Sequence, residues 1–300
     1  MYDKIINIFS SVWMIDKSVV NAHIPLFLRF IKGENFNFQD NKTYLEEQTE
    51  NILQINNSLN IPITTDYYNE ELEDQSVAIH PVKGIIMAES YYGFSTKDFV
   101  NNLLAAENNP GIFSHVLAVN TGGGMAHYLD VAASTIKKLK KPVLVHFEQN
   151  LASAGYYIAA SADKIYANSK FDRAGSIGTM VSMVDFVPLL EQFGAKEIEA
   201  YATLSTLKNK VENDLLDGKP EDYIKEVLDP LNEGFIQSVK SGRPGVESVN
   251  ESEGVLNGRM FYAEQAIKNK MVDGIKSINQ VISEAYEFGL TQKNMQSFVY

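Results

Sequence analysis

Cysteine is absent from the 300 residues, which removes disulfides, thiol catalysis and cysteine-ligated zinc together. Covalent chemistry here must use a hydroxyl, an amine or a carboxylate. Long apolar runs are missing as well. No stretch approaches the roughly 18 residues of a membrane span, and the N-terminal MYDKIINIFSSVWMIDKS lacks the charged, apolar and small-residue regions of a signal peptide. Action in the cytoplasm is the expectation. Basic residues are in deficit, 26 against 38 acidic for a net charge of -12, the wrong sign for diffuse binding to a phosphate backbone. The run KKLKK at 137–141 reads instead as a helix end, where cations meet the negative pole of the dipole. Low-complexity tracts and solenoid repeats are also missing.

What is present is a chain that is 45% hydrophobic, enough to bury a substantial core. Residues 1–74 read as a mainly helical, polar-interleaved extension with Trp13, Ile24, Leu26, Leu28 and Ile31 as packing positions. From Val77 short apolar runs follow one another: VAI, GIIM, VLAV at 116–119, VLVHF at 143–147 and KIYA at 164–167. Between two of them Leu129, Ala132, Ile136 and Leu139 mark one face of a helix that Pro142 ends. Repeated strand-turn-helix units of an α/β core over about 75–190 are predicted, with a helix-rich part from about 191 to 300. The segment 241–258 reads as a surface loop by its Gly, Ser, Asn and Glu content.

Ser153 lies after VLVHFEQNLA and before AGYYIAASA, at the start of a predicted helix. Position alone makes it an ordinary N-cap. A nucleophilic role needs a base for its proton and backbone N–H donors for the oxyanion. Donors are available at VNTGGGMAHYLD, where a strand runs into Thr121, Gly122, Gly123 and Gly124 before a helix. The base is the open question. All five histidines, His23, His80, His115, His127 and His146, precede Ser153, so a triad in the order Ser, His, Asp is impossible. His80 and His146 lie in or beside strands as structural histidines, and His127, in the first turn of the helix after the glycines, stays a candidate base. A neutral lysine is the other common base, and composition alone does not choose among Lys164, Lys170, Lys196, Lys208 and Lys210.

The series VAIHPVKGII and VLAVNTGGGMAHYLDVAASTIKKLKKPVLVHFEQNLASAGYYIAASADKIYANSKFDRAGSIGTM resembles the signal peptide peptidase A family of serine peptidases, within the Clp-protease/crotonase superfamily. The likeness runs from about Val77 to Val187 and more weakly through NGRMFYAEQAIKNKMVDGI at 257–275. It implies a spiral of repeated ββα units with helical N- and C-terminal extensions, and a peptidase domain over 75–300. It also implies Ser153 as nucleophile, Gly123 or Gly124 with the Ala154 amide as oxyanion donors, and Ser176 of GSIG as a hydrogen-bond partner of the catalytic lysine. By the family's spacing that lysine is Lys208, with Lys210 as the register-shifted alternative. Ala154 stands where the family has glycine, and Gly122 where it has proline; neither change removes a needed atom.

The resemblance implies a serine endopeptidase with a Ser/Lys dyad, acting on extended or unfolded peptide segments without metal or cofactor, in a homo-oligomeric ring or dome. For such a base to work near neutral pH it must titrate below the usual ~10.4 of a lysine. The segment WMIDKSVVNAHIPLFLRFIKGENF also resembles the helical leader of phage and prophage members. That implies capsid maturation, phage capsid or scaffold partners, and association with a virion or procapsid. The competing expectations are a peptidase of cleaved signal peptides, a crotonase-type acyl-CoA enzyme, and a non-enzymatic capsid scaffold that keeps the fold.

Overall fold

The computed structural model of the chain describes residues 12–15 and 61–297, apart from 73–74, 91–92, 184, 186, 193, 195, 197 and 249–253. Its first half runs β1 (Val12–Ile15), β2 (Ile63–Thr64), β3 (Ser76–Lys83), α1 (Thr96–Asn108), β4 (Ile112–Thr121), β5 (Gly123–Met125), α2 (Leu129–Lys138), β6 (Val143–Ala152) and α3 (Ala154–Ala159). Then come β7 (Lys164–Ala167), β8 (Arg173–Gly175), β9 (Met180–Val181), α4 (Val187–Gln192), α5 (Lys210–Leu216) and α6 (Glu221–Tyr223), which leads through a π turn into α7 (Asp229–Gly242). The chain closes with β10 (Met260–Tyr262), α8 (Ala263–Lys268), β11 (Gly274–Ile275) and α9 (Ile278–Ser297).

The α/β reading holds. The main sheet has the order β10-β8-β6-β4-β3-β2, and β2, β3, β4, β6 and β8 are all parallel. Parallel strands require crossover connections, and α1 and α2 supply them. Both helices are set by the pattern read from the sequence. In α1 the Ser95 hydroxyl accepts the Asp98 N–H at 3.2 Å and Phe99, Val100 and Leu103 are buried. In α2 Leu129, Ala132 and Ile136 are buried while Lys137 and Lys138 close the last turn.

The sheet forks at β6. Leu144 to Phe147 pair with β7, whereas Asn150 to Ala152 pair with β8. Gln149 stands between the two halves at φ 61°, its N–H bound by Asp172 Oδ1 at 2.7 Å. That kink turns the end of β6 out of the plane its first half shares with β7, and Ser153 follows directly on the turned half.

Helices cover both faces. On one, α2, α3 and α7 enclose Leu117, Val145, Phe147, Tyr156 and Phe235; on the other, Val281, Ile282 and Ala285 of α9 lie against Val77, Ile79, Val116 and Leu144. Tyr156 fixes the first layer further, its hydroxyl donating to the Met271 carbonyl at 3.0 Å.

Three expectations change in detail. GIIM is not a regular strand: Ile86 and Met87 form isolated bridges to Gly124 and Ser95, because the chain must leave the sheet there to approach the glycine loop. Trp13, placed in a helical extension, lies in strand β1, and Ile63 and Thr64 form β2; Ile24, Leu26, Leu28, Ile31 and His23 lie outside the described residues. The surface segment 241–258 is anchored, since Arg243, Val246 and Val255 are buried and Arg243 pairs with Asp273 at 2.9 Å. Among the described residues no helix is long and apolar enough to cross a membrane.

Candidate active site

Ser153 joins β6 to α3. Its N–H donates to the Gly175 carbonyl at 2.8 Å, and its carbonyl accepts the Tyr157 N–H at 2.8 Å, so the residue ends one element and begins the next. The junction forces φ 52° and ψ -114°, a region that costs a non-glycine residue about 1–3 kcal/mol. An N-cap serine would adopt extended backbone angles and accept a bond from an amide two or three residues on. Ser153 does neither, for its side chain makes no cap bond. Its Oγ is buried and has no hydrogen-bond partner among the described residues, and the residue is 0% exposed. A buried, unbonded hydroxyl at a strained junction calls for an explanation other than capping.

The surroundings supply donors. Ala154 is the first residue of α3, and the first amides of a helix have no intrahelical acceptor. Across the sheet Thr121 pairs with Leu151, bringing the glycine loop beside Ser153. The Thr121 hydroxyl donates to the Gly84 carbonyl at 2.5 Å and accepts the Gly123 N–H at 3.0 Å. The Gly123 amide is therefore committed to the loop's own support.

Gly124 is different. Ile86 donates to the Gly123 carbonyl at 3.0 Å and accepts from the Met125 N–H at 2.8 Å, so Gly123 and Met125 face Ile86. Successive residues of a strand alternate in the direction of their polar groups, which leaves the N–H and C=O of Gly124 facing the other side. Glycine is needed there because a Cβ would stand 1.9 Å from the Ile86 oxygen. Gly155 is needed for a similar reason, since a Cβ would stand 2.3 Å from Thr121 Cγ2.

Ser176 follows Gly175, the residue paired with Ala152, and so stands next to Ser153 on the neighbouring strand. It is half-buried at φ 55°. The lysines are not brought to this point. Lys208 is exposed, and among the described residues no lysine bonds the Ser153 hydroxyl. Lys210 is tied to Asp214 and, at 3.4 Å, to Asp222; hydrogen bonds to these two carboxylates push its pKa up, the wrong direction for a base. Lys164 pairs with Asp273 at 3.6 Å, and Lys170 lies over the Phe171 ring.

The buried histidines lie away from Ser153 in the sheet. His80 Nε2 and His115 Nδ1 lie 3.1 Å apart, and His115 Nε2 is 3.4 Å from Glu107 Oε2. His146 is seven residues before Ser153 along the chain, roughly 20 Å at strand rise, and His127 is exposed. Two features escaped the sequence reading, the role of Thr121 and the environment of Lys83. Thr121 acts as the clamp of the glycine loop, which no spacing rule announces. Lys83, at the end of β3 one residue before Gly84, has its pKa pulled down by burial against the opposing effect of Glu148.

The sequence profile of Peptidase family S49 matches residues 135–291, more than half of the chain. Over 228 residues the chain is 27% identical to the Enterococcus faecium protein named "Putative signal peptide peptidase SppA", covering 71% of this chain and 63% of that one. Over 231 residues it is 26% identical to Protease 4 of Haemophilus influenzae, covering 75% and 36%. The chain thus spans less than two thirds of the length of either relative. Among solved structures it is similar to a lysine-to-alanine mutant of the 1510-N membrane-bound stomatin-specific protease in complex with a substrate peptide. That match has 16% identity and a TM-score of 0.41, and covers 70% of this chain and 78% of the other.

Proposed function

The chain belongs to Peptidase family S49, and we propose that it is a serine endopeptidase whose nucleophile is Ser153. The observation that carries this reading is the Ser153 hydroxyl itself, buried, unbonded and held in a strained turn beside helix-start and glycine-loop amides. In the reaction the hydroxyl attacks a peptide carbonyl while a neutral lysine takes its proton. The amides of Ala154 and Gly124 hold the oxyanion, the lysine returns the proton to the leaving amine, and water repeats the sequence on the acyl-enzyme.

Lys208 is the lysine assigned to this step, with Ser176 as its orienting partner. Because it is exposed in its own chain, the dyad is completed by a second copy, Ser153 from one and Lys208 from the other. The segment that carries Lys208 supports such association: Ile198, Leu204 and Leu207 are 81%, 95% and 76% exposed, apolar surface of the kind that contact with another protein covers. A homo-oligomer is therefore part of the proposal.

The substrate is an extended or unfolded segment, since a folded chain cannot bring a scissile bond to a fully buried hydroxyl. The name of the Enterococcus relative favours remnant signal peptides as one such class. The capsid partners expected earlier rest on a leader of which the described part is residues 13–15.

The test is digestion of a diverse unfolded-peptide mixture by wild type, Ser153→Ala and Lys208→Ala, read by mass spectrometry. Cuts made by wild type and lost in both variants are expected. Cuts that persist in Ser153→Ala would remove the nucleophile assignment.

A further inference from the structure

β1 is the middle strand of a three-stranded sheet of order β5-β1-β9 and runs antiparallel to both neighbours. Trp13, Met14 and Ile15 stand opposite Met125, Gly124 and Gly123. On the other side Val12 and Trp13 stand opposite Val181 and Met180. Both neighbours belong to the candidate site: β5 is the glycine strand, and β9 begins four residues after Ser176.

The far side of β5 is already taken by Ile86. Without β1, therefore, two strand edges that run parallel to each other, each antiparallel to β1, would face each other across about 10 Å, twice the ~4.8 Å spacing of paired strands. Such a slot accepts one extended peptide, held by main-chain bonds on both sides. The polar groups of Gly124 face into it, and the residue they meet is Met14. The amide assigned to the oxyanion is thus the one aimed at the Met14 carbonyl.

We propose that residues 12–15 are a built-in occupant of the peptide slot, held as a substrate would be, and that the enzyme cuts its own chain at Met14–Ile15. This rests on the reading of Ser153 given above. In the cut the Ser153 oxygen bonds to the Met14 carbonyl carbon and the bond to the Ile15 nitrogen breaks. The serine proton passes through the lysine to that nitrogen. Water then hydrolyses the ester and leaves residues 1–14 with a free carboxylate. Until the strand departs the slot is closed, in keeping with a nucleophile that is 0% exposed.

The experiment uses the full chain. Wild type, incubated alone and followed by intact mass and N-terminal sequencing, is expected to gain an N-terminus at Ile15, and Ser153→Ala is expected to stay whole. Hydrogen exchange in the Ser153→Ala background reads occupancy without catalysis. Trp13→Pro removes a backbone donor from a central strand, so the amides of Gly124 and Met180, which face β1, should then exchange about tenfold faster or more. Unchanged exchange would overturn the occupancy, whatever Ser153 does. Faster exchange with Ser153-dependent cutting of added peptides but no self-cleavage would overturn the self-substrate claim, as would a new N-terminus elsewhere. Faster exchange with no Ser153-dependent cutting of any peptide would keep the occupancy and overturn self-cleavage together with the peptidase reading.

Discussion

Gly124→Ala places one methyl group where the structure has no room. The added Cβ would lie 1.9, 2.5 and 2.6 Å from the O, C and N atoms of Ile86. All three are backbone atoms, so no side chain can turn aside. Relief requires the glycine loop and Ile86 to separate by more than an ångström, which breaks the two bonds that join them. At about 1 kcal/mol for each bond, with overpacking of about 1–3 kcal/mol if the loop resists, the expected loss of stability is about 2–3 kcal/mol. The same shift moves the Gly124 amide away from the oxyanion, and losing one such donor lowers kcat by about 10²–10³. Denaturant unfolding and peptide hydrolysis on the same preparation measure both effects. A variant that kept wild-type stability and kcat would refute the contact with Ile86 and the donor role of Gly124 together.

Stability should also fall in mild acid. Burial holds His80 well below the ordinary imidazole pKa and lowers His115 as well, so the unfolded chain binds protons that the folded chain refuses. The stabilisation is complete above about pH 6.5 and is lost as pH falls below it, at up to about 1.4 kcal/mol per unit for each histidine. Glu107 enters only at lower pH. Burial pushes its carboxyl up, but bonds from His115 and the Lys140 and Lys141 amides outweigh this and hold it at about 2, so its contribution is lost below about pH 4.5. Unfolding midpoints between pH 7.5 and 5.5 check the histidine effect, and a flat profile would contradict it. Mixing the two inactive variants Ser153→Ala and Lys208→Ala should restore activity, because a mixed assembly holds sites with both native partners; activity that stays absent in co-assembled chains would argue against a dyad shared between copies.

The parallel sheet was legible because VLAV, VLVHF and KIYA carry the continuous apolar character of strands buried on both faces. The helix over 129–138 was legible from its 3.6-residue period. GIIM shows the limit of that signal: the same composition serves an isolated contact once the chain must cross to the glycine loop. Val12–Ile15 shows another, since four apolar residues have no period, and the partner strands lie more than a hundred residues away. At the site, Ser153 and the glycines were singled out through motif and spacing, whereas the observations that support their proposed roles come only with the folded structure. These are the unbonded hydroxyl, the left-handed backbone, the Thr121 clamp and the outward Gly124 amide. Lys208 was chosen by spacing along the chain, which carries no information on whether the two residues meet in one copy or across two.

The most direct test of the central claim is covalent. Wild type treated with a fluorophosphonate, a serine-reactive probe that mimics the tetrahedral intermediate, should carry a single adduct that tandem mass spectrometry maps to Ser153, and Ser153→Ala should carry none. Peptide cleavage by wild type with no adduct at Ser153, or an adduct on another serine that abolishes the cleavage, would contradict it.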